Sequence, residues 1–187
     1  MAVVVHALTN QQAEASQDQL VPIYRDAFSL PPYCKEEAEV VDFAQSFPQH
    51  LQKEGFRIVV AWEDRTQQVV GFAYGLANRP DQVWYEEVAK AAPPWMVTEW
   101  LTGSFRLVEM AVTPEAQRQG IGGLLHDHLL SGLSYPKAVL STMAASTAAY
   151  RLYRRRGWRV LLDDLSFPGV ARPYRIMGLE LGRENAR

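Results

Sequence analysis

Between Leu107 and Leu130 the chain reads LVEMAVTPEAQRQGIGGLLHDHLL, and the residue types there are suited to holding an anion. An apolar run ends at Val112 and is closed by Thr113-Pro114. Gln117-Arg118-Gln119 then leads into Gly120-Ile121-Gly122-Gly123, and an apolar helical pattern follows on Leu124, Leu125, His128 and Leu129. A strand, a glycine turn and a helix in that order present successive backbone N–H groups with few side chains in the way. The helix N-terminus adds a partial positive charge. Arg118 supplies the full charge that backbone dipoles lack. The chemistry this pattern suits is phosphate binding.

Two common phosphate loops fail on spacing. A P-loop requires Lys-Ser or Lys-Thr after its second glycine, and neither pair follows these glycines. A dinucleotide fingerprint requires Gly-x-Gly-x-x-Gly directly after the strand. Here the strand ends well before Gly120, and the third glycine position is Leu125. The pattern that fits is Val112-Thr113-Pro114 followed by Gln117-Arg118-Gln119-Gly120-Ile121-Gly122, which resembles the acetyl-coenzyme A signature of the GNAT N-acetyltransferase superfamily. Further along, Ala149-Tyr150-Arg151-Leu152-Tyr153-Arg154-Arg155-Arg156-Gly157-Trp158 resembles that family's Ala-x-x-Leu-Tyr-x-x-x-Gly-Phe helix and turn. The β-like run Ala138 to Thr142 lies between the two motifs. The resemblance runs from about Phe105 to Trp158 by motif and over the rest by element order.

The resemblance implies acetyl transfer from acetyl-coenzyme A to an amine by direct attack in a ternary complex. Such a transfer needs a neutral amine, a stabilised oxyanion and a proton for the leaving thiolate. The resemblance puts the thioester against the backbone N–H groups of Met110, Ala111 and Val112. It puts the pyrophosphate on Gln117, Arg118, Gln119, Gly120, Ile121, Gly122 and Gly123. It makes Tyr153 the proton donor to the sulfur; a free phenol titrates near about 10, so it is protonated at neutral pH. The alternative for Tyr153 is a packed helix tyrosine, and Tyr150, one turn earlier on the same face, is a pocket wall or core residue. Where the family helix opens with an asparagine on the cofactor, this chain has Ser146, able to cap the helix and still hydrogen-bond. Members that acetylate ribosomal-protein N-termini carry a glutamate where this chain has Ser141.

Glu109 is the acidic residue of an otherwise apolar strand half. Strand alternation puts Glu109 with Leu107 on one face and Val108 with Met110 on the other. It reads either as the general base for the amine or as a structural carboxylate paired with an arginine. Glu99 is a weaker base candidate. His126 and His128, on the helix after the glycines, read as surface or packing residues.

These residues need a scaffold, and the pattern along the chain supplies one. A first strand runs over Ala2 to Ala7. A helix capped by Thr9 or Asn10 runs toward Phe28 with a kink or restart at Pro22, and a second helical region from Lys35 to Lys53 is interrupted near Pro48. Strands at Phe56 to Trp62 and Gln68 to Leu76 pair antiparallel through a polar turn. A partly helical, aromatic-rich insertion follows from Trp84 to Trp100. The fourth strand is Phe105 to Val112, the helix Gly122 to Ser131, the fifth strand Lys137 to Thr142 and the next helix Ser146 to Arg156. Two last strands run over Trp158 to Leu162 and Tyr174 to Leu181. The class is α+β, one twisted mixed sheet of about seven strands flanked by helices, a single domain over residues 1–187. The resemblance implies that the fourth and fifth strands splay to admit the pantetheine arm.

Composition bounds the rest. The chain has 187 residues, 48% of them hydrophobic and 11% aromatic, with a net charge of −2. Such a chain has a core and lacks the basic field that nucleic acid or an anionic membrane calls for. Arg154-Arg155-Arg156 reads as a solvated helix face near a C-terminus. Cys34 is the single cysteine, and no zinc pattern is present. No apolar stretch approaches about 18 residues, and the first residues lack a signal pattern, so a cytoplasmic enzyme is expected. The acceptor side falls on Phe28 to Tyr33 and Trp84 to Trp100. There Trp84, Tyr85, Trp95 and Trp100 with Glu86, Glu87 and Glu99 form an aromatic, acidic pocket for a cationic amine, or else the rings are core and the acids solvated. The leading expectation is a small-molecule primary amine as acceptor. The alternatives are a protein lysine or N-terminus, and a non-catalytic acyl-coenzyme A sensor. An exposed strand edge at the C-terminus allows a homodimer.

Overall fold

The structure is a computed structural model that describes residues 2–182. Seven strands form one mixed sheet, as expected: β1 (Val3–Leu8), β2 (Arg57–Glu63), β3 (Gln68–Ala77), β4 (Phe105–Val112), β5 (Lys137–Met143), β6 (Arg159–Leu165) and β7 (Tyr174–Glu180). Their order is β1-β2-β3-β4-β5-β7-β6. β4 and β5 run parallel, with Phe105 opposite Ala138 and Arg106 opposite Val139. The pairs β1–β2, β2–β3, β5–β7 and β6–β7 are antiparallel. The chain divides into two compact units, one holding the residues up to Leu76 with Val108–Ser131, the other Ala77–Leu107 with the residues from Gly132 onward.

In the first unit, Thr9 opens α1 (Asn10–Ala15) with a reciprocal cap: its hydroxyl accepts from the Gln12 N–H at 3.2 Å and its own N–H donates to the Gln12 side chain at 2.9 Å. The helix breaks at Ser16, not at Pro22: Ser16 ends α1 and precedes α2, and its hydroxyl donates to the Gln12 carbonyl at 2.7 Å. Pro22 lies inside α2 (Gln17–Phe28), and Pro48 inside an uninterrupted α3 (Glu37–Leu51). Both prolines sit among residues whose burial outweighs the lost backbone bond. Leu20, Ile23, Tyr24 and Phe28 of α2 and Val40, Phe43, Phe47 and Leu51 of α3 join Ile58, Val60, Phe72, Tyr74 and Ala111 in one apolar cluster. The stacked Tyr24–Phe43 rings, with centroids 4.1 Å apart, tie the two helices together.

Gly71 governs how closely β3 approaches the end of β4. A Cβ there would lie 2.9 Å from the Ala111 carbonyl oxygen and 3.1 Å from Val112 Cγ2. Gly71→Ala is therefore expected to lower the unfolding free energy by about 1–3 kcal/mol, as overpacking does, in a urea titration. An unchanged midpoint would mean the two strands have room to separate.

In the second unit, α4 (Val83–Ala91), the short α5 (Pro94–Met96) and a π-helical turn (Val97–Leu101) carry Tyr85, Val88, Met96, Trp100 and Leu101 into a cluster with Val139, Leu165 and Ile176. Trp100 lies flat against Gly178, where a Cβ would come within 2.4 Å of its ring. Lys137 Nζ and the Arg159 guanidinium stand 4.7 and 4.6 Å from its centroid. The helix α7 (Ala148–Arg155) completes this unit's framework.

Candidate active site

The glycine turn belongs to the first unit. Pro114–Ala116 make one 3₁₀ turn after β4, and α6 (Ile121–Leu130) starts at Gly120. Arg118 and Gly120 both adopt left-handed backbone, φ +61° and +83°. Glycine takes this conformation freely, whereas an arginine there is a local strain that the surrounding loop must hold. The loop does so with its glutamines. Gln117 Nε2 donates to the Val112 carbonyl at 3.0 Å, and Gln119 Nε2 donates to the Glu115 carbonyl at 3.1 Å. Gln117 and Gln119 thus brace the turn with their side-chain amides.

The Gly120 carbonyl accepts from Gly123 N–H at 2.9 Å and Leu124 N–H at 3.1 Å. The N–H groups of Ile121 and Gly122 precede these first intrahelical bonds and point out of the helix start. A Cβ built on Gly120 meets nothing within 4 Å, and Gln117 through Gly120 are exposed. Among the described residues no acidic side chain pairs with the Arg118 guanidinium. Open space, outward N–H groups and an arginine together fit a diphosphate.

Upstream on β4, Ala111 and Val112 are buried, while Val108, Glu109 and Met110 are half-buried. The expected alternation of faces therefore leaves no contrast in burial over those three residues. His126 is buried and bonds Asp127 Oδ1 through Nδ1 at 2.7 Å; His128 is exposed and its Nδ1 lies 2.9 Å from the Leu124 carbonyl.

Tyr153 and Ser146 belong to the second unit. The resembled Leu-Tyr-x-x-x-Gly-Trp stretch is a helix-ending device with a physical reason for each residue. Gly157 (φ +85°) turns the chain left-handed. Its N–H bonds the Arg154 carbonyl at 3.2 Å, and the Trp158 N–H bonds the Tyr153 carbonyl at 3.1 Å. This is the Schellman pattern, with its customary side-chain contact made here by the Tyr153 and Trp158 rings at 5.7 Å. Both side chains are buried, at 5% and 1% exposure, so the turn fixes where Tyr153 stands.

Ser146 does not cap α7. The cap is Thr147, whose hydroxyl accepts from Tyr150 N–H at 3.0 Å, because Thr147 is the residue with extended backbone (φ −79°, ψ 167°) next to the helix. Ser146 is exposed, one residue earlier, and its carbonyl accepts from Arg151 Nη1 at 2.6 Å. Tyr150 is half-buried under the Arg175 guanidinium, 4.6 Å from its ring.

The expected aromatic pocket does not assemble. Tyr85 and Trp100 are 7% and 2% exposed and pack in the core, whereas Trp95 is 51% exposed. Aromatic side chains this large are drawn into the cluster by the area they bury. Glu87 pairs with Lys90, and Glu86 and Glu99 are exposed. Trp84 is held differently: its indole N–H donates to Ser141 Oγ at 3.1 Å, and the Arg106 guanidinium lies 5.0 Å over its ring. Arg106 is 6% exposed, and the sequence reading passed over it. The available signal was one basic residue in the otherwise apolar start of β4. Among the described residues no three His, Cys, Asp or Glu side chains gather to hold a metal ion, and no helix is long and apolar enough to cross a membrane.

The Acetyltransferase (GNAT) domain family matches residues 54–160. A GCN5-like protein acetyltransferase of Mycobacterium tuberculosis is 31% identical over 121 residues, 60% of this chain and 59% of that protein's length. The crystal structure of the ribosomal-protein-S18-alanine N-acetyltransferase from Escherichia coli superposes with a TM-score of 0.64 at 18% identity, covering 100% of this chain and 99% of the other. An N-acetyltransferase from Thermoplasma acidophilum, solved with coenzyme A, gives a TM-score of 0.62 at 11% identity and covers 97% of this chain and 100% of its own.

Proposed function

The chain belongs to the GNAT acetyltransferase domain family, and from that premise we propose that it moves an acetyl group from acetyl-coenzyme A to a primary amine by direct attack in a ternary complex. The observation that carries the reading is the braced left-handed turn at Arg118 and Gly120, open to solvent at the start of α6.

In this reading residues 1–187 act as one cytoplasmic N-acetyltransferase domain, and acetyl-coenzyme A brings an activated thioester as cosubstrate. Arg118 and the N–H groups of Gly120, Ile121 and Gly122 hold the pyrophosphate, with Gly123 closing the first helical turn on the Gly120 carbonyl and Gln117 and Gln119 keeping the loop in shape. The backbone N–H groups of Met110, Ala111 and Val112 stabilise the oxyanion, which needs no side chain. Glu109 takes a proton from the acceptor's ammonium, and the neutral amine that results attacks the thioester carbonyl. Tyr153 donates its phenolic proton to the departing thiolate, and Ser146 hydrogen-bonds the coenzyme. The outer strand β6 is the edge along which two copies would pair.

The acceptor is read first as a small-molecule amine, with exposed Trp95 and the solvated carboxylates Glu86 and Glu99 left to attract a cation. A protein lysine or N-terminus is the second reading, favoured by the protein-acetyltransferase designation of the Mycobacterium tuberculosis relative and by the loss of Tyr85 and Trp100 as pocket walls. Mass spectrometry of acceptors incubated with protein and acetyl-coenzyme A decides between them. Polyamines, aminoglycoside-type amines and lysine-containing peptides form the panel. Acetylated small amines support the first reading and acetylated peptides the second. Tight coenzyme binding with no acetylated product marks a non-catalytic acyl-coenzyme A sensor.

A further inference from the structure

Lys35, between α2 and α3, is seated in aromatic rings. Its ammonium stands 4.5 Å from the centroid of Tyr24 and 4.5 Å from that of Phe28. It also donates to the Tyr24 hydroxyl. Tyr24 and Phe28 meet edge to face at 4.9 Å, and Tyr33 meets Phe28 at 5.0 Å and 90°. Tyr24 and Phe28 are buried, at 3% and 9% exposure, so the rings of the seat are packed into the core. The loop is closed over it: Lys35 N–H donates to the Phe28 carbonyl at 2.8 Å, and the Tyr33 and Cys34 N–H groups each donate to the Leu30 carbonyl at 3.2 Å.

Two ring faces and a phenol oxygen converging on one point attract any alkylammonium, through the ring quadrupoles and one charge-assisted hydrogen bond. Tyr24 and Phe28 lie in the same apolar cluster as Ala111 of β4, against which Val108 also packs, and β4 is the strand proposed to hold the thioester. Between Tyr24 and Glu39 the chain carries Asp26, Glu36, Glu37 and Glu39 against Arg25 and Lys35. Arg25 is committed to Glu37 through two hydrogen bonds of 3.0 and 2.6 Å. The surroundings therefore favour a cation in the seat whichever molecule supplies it.

We propose that the Tyr24–Phe28 ring pair is a seat for a primary alkylammonium, and that Lys35 is a built-in occupant which an acceptor amine must displace. The inference rests on the amine-acceptor reading above and gives that acceptor a place to bind. Lys35 is tethered, so it competes at the high effective concentration of an intramolecular ligand. An outside amine is then admitted only when the loop from Ser29 to Lys35 gives way, which makes the loop a gate on the acceptor.

The test uses n-butylammonium chloride, the analogue of a lysine side chain, without acetyl-coenzyme A and at constant ionic strength. The Tyr24 and Phe28 ring signals are followed by NMR. Lys35→Ala is expected to bind it at least about tenfold more tightly than wild type, because the tethered competitor is gone. Adding Phe28→Leu to Lys35→Ala should erase the gain. Equal affinity in wild type and Lys35→Ala, or a gain that survives Phe28→Leu, overturns the proposal. Should Lys35→Ala not fold, the wild type decides: saturable displacement of the Lys35 ammonium signal supports the seat, and its absence overturns it. Binding here without acetyl transfer in the acceptor panel would sink the transferase reading and leave the seat standing. Transfer without binding here would sink the seat alone.

Discussion

Gly120→Asp is expected to fold and to lose acetyl-coenzyme A binding by at least about 100-fold. The fold survives because a Cβ at Gly120 meets nothing within 4 Å, and because aspartate tolerates left-handed backbone better than most residues. The binding is lost because the open space is where the pyrophosphate is placed. Two like charges about 4 Å apart at an effective dielectric constant of 20 repel by about 4 kcal/mol, and exposure to solvent reduces that figure. Gly120→Ala separates the two contributions. It carries the backbone cost of about 1 kcal/mol without the charge, so it should lower stability slightly and leave binding within a few-fold of wild type. Calorimetric titration of both variants checks this. Wild-type affinity in Gly120→Asp would remove the pyrophosphate from the turn.

Tyr153→Phe is expected to lower kcat by about 10²- to 10⁴-fold, the range over which a positioned acid acts, with little change in the KM for acetyl-coenzyme A. The ring contact with Trp158 and the backbone bond closing the turn do not involve the hydroxyl, so the helix end should persist. A tyrosine that only packs would behave the other way, with a lowered melting temperature and an unchanged kcat. Because thiolate protonation helps most when the leaving group needs a proton, the defect should shrink with an acyl donor whose thiol has a lower pKa. Steady-state kinetics with two such thioesters separates an acid from a packing residue.

The glycine turn and the end of α7 were legible in the sequence because their requirements are backbone requirements. A left-handed turn needs glycine at Gly120, a helix that ends by the Schellman pattern needs glycine at Gly157, and residue type and spacing encode both directly. The antiparallel pairing of β2 and β3 was legible for a similar reason, because a short polar turn joins them, whereas the order of strands across the sheet was not read from the sequence. What the sequence could not convey was competition between neighbours. Ser146 and Thr147 are both capping residues, and only backbone geometry selects Thr147. Pro22 signals a helix break, but burial of Leu20, Ile23 and Tyr24 carries α2 past it, and Ser16 makes the break instead. Tyr85 and Trp100 look alike in composition to Trp95, yet the core takes two and leaves the third exposed. Arg106 over Trp84 and Lys35 over Tyr24 and Phe28 join residues far apart or on opposite sides of a loop, so no local pattern announces them. Contacts of that kind emerge only from the folded chain.

Acetyl transfer to an amine is tested by thiol release from acetyl-coenzyme A by the wild-type protein, measured with and without a panel of primary amines and with Tyr153→Phe alongside. The account predicts amine-dependent release that saturates in both substrates and drops by about 10²-fold or more in Tyr153→Phe. Release that no amine stimulates, or that Tyr153→Phe matches, would contradict it.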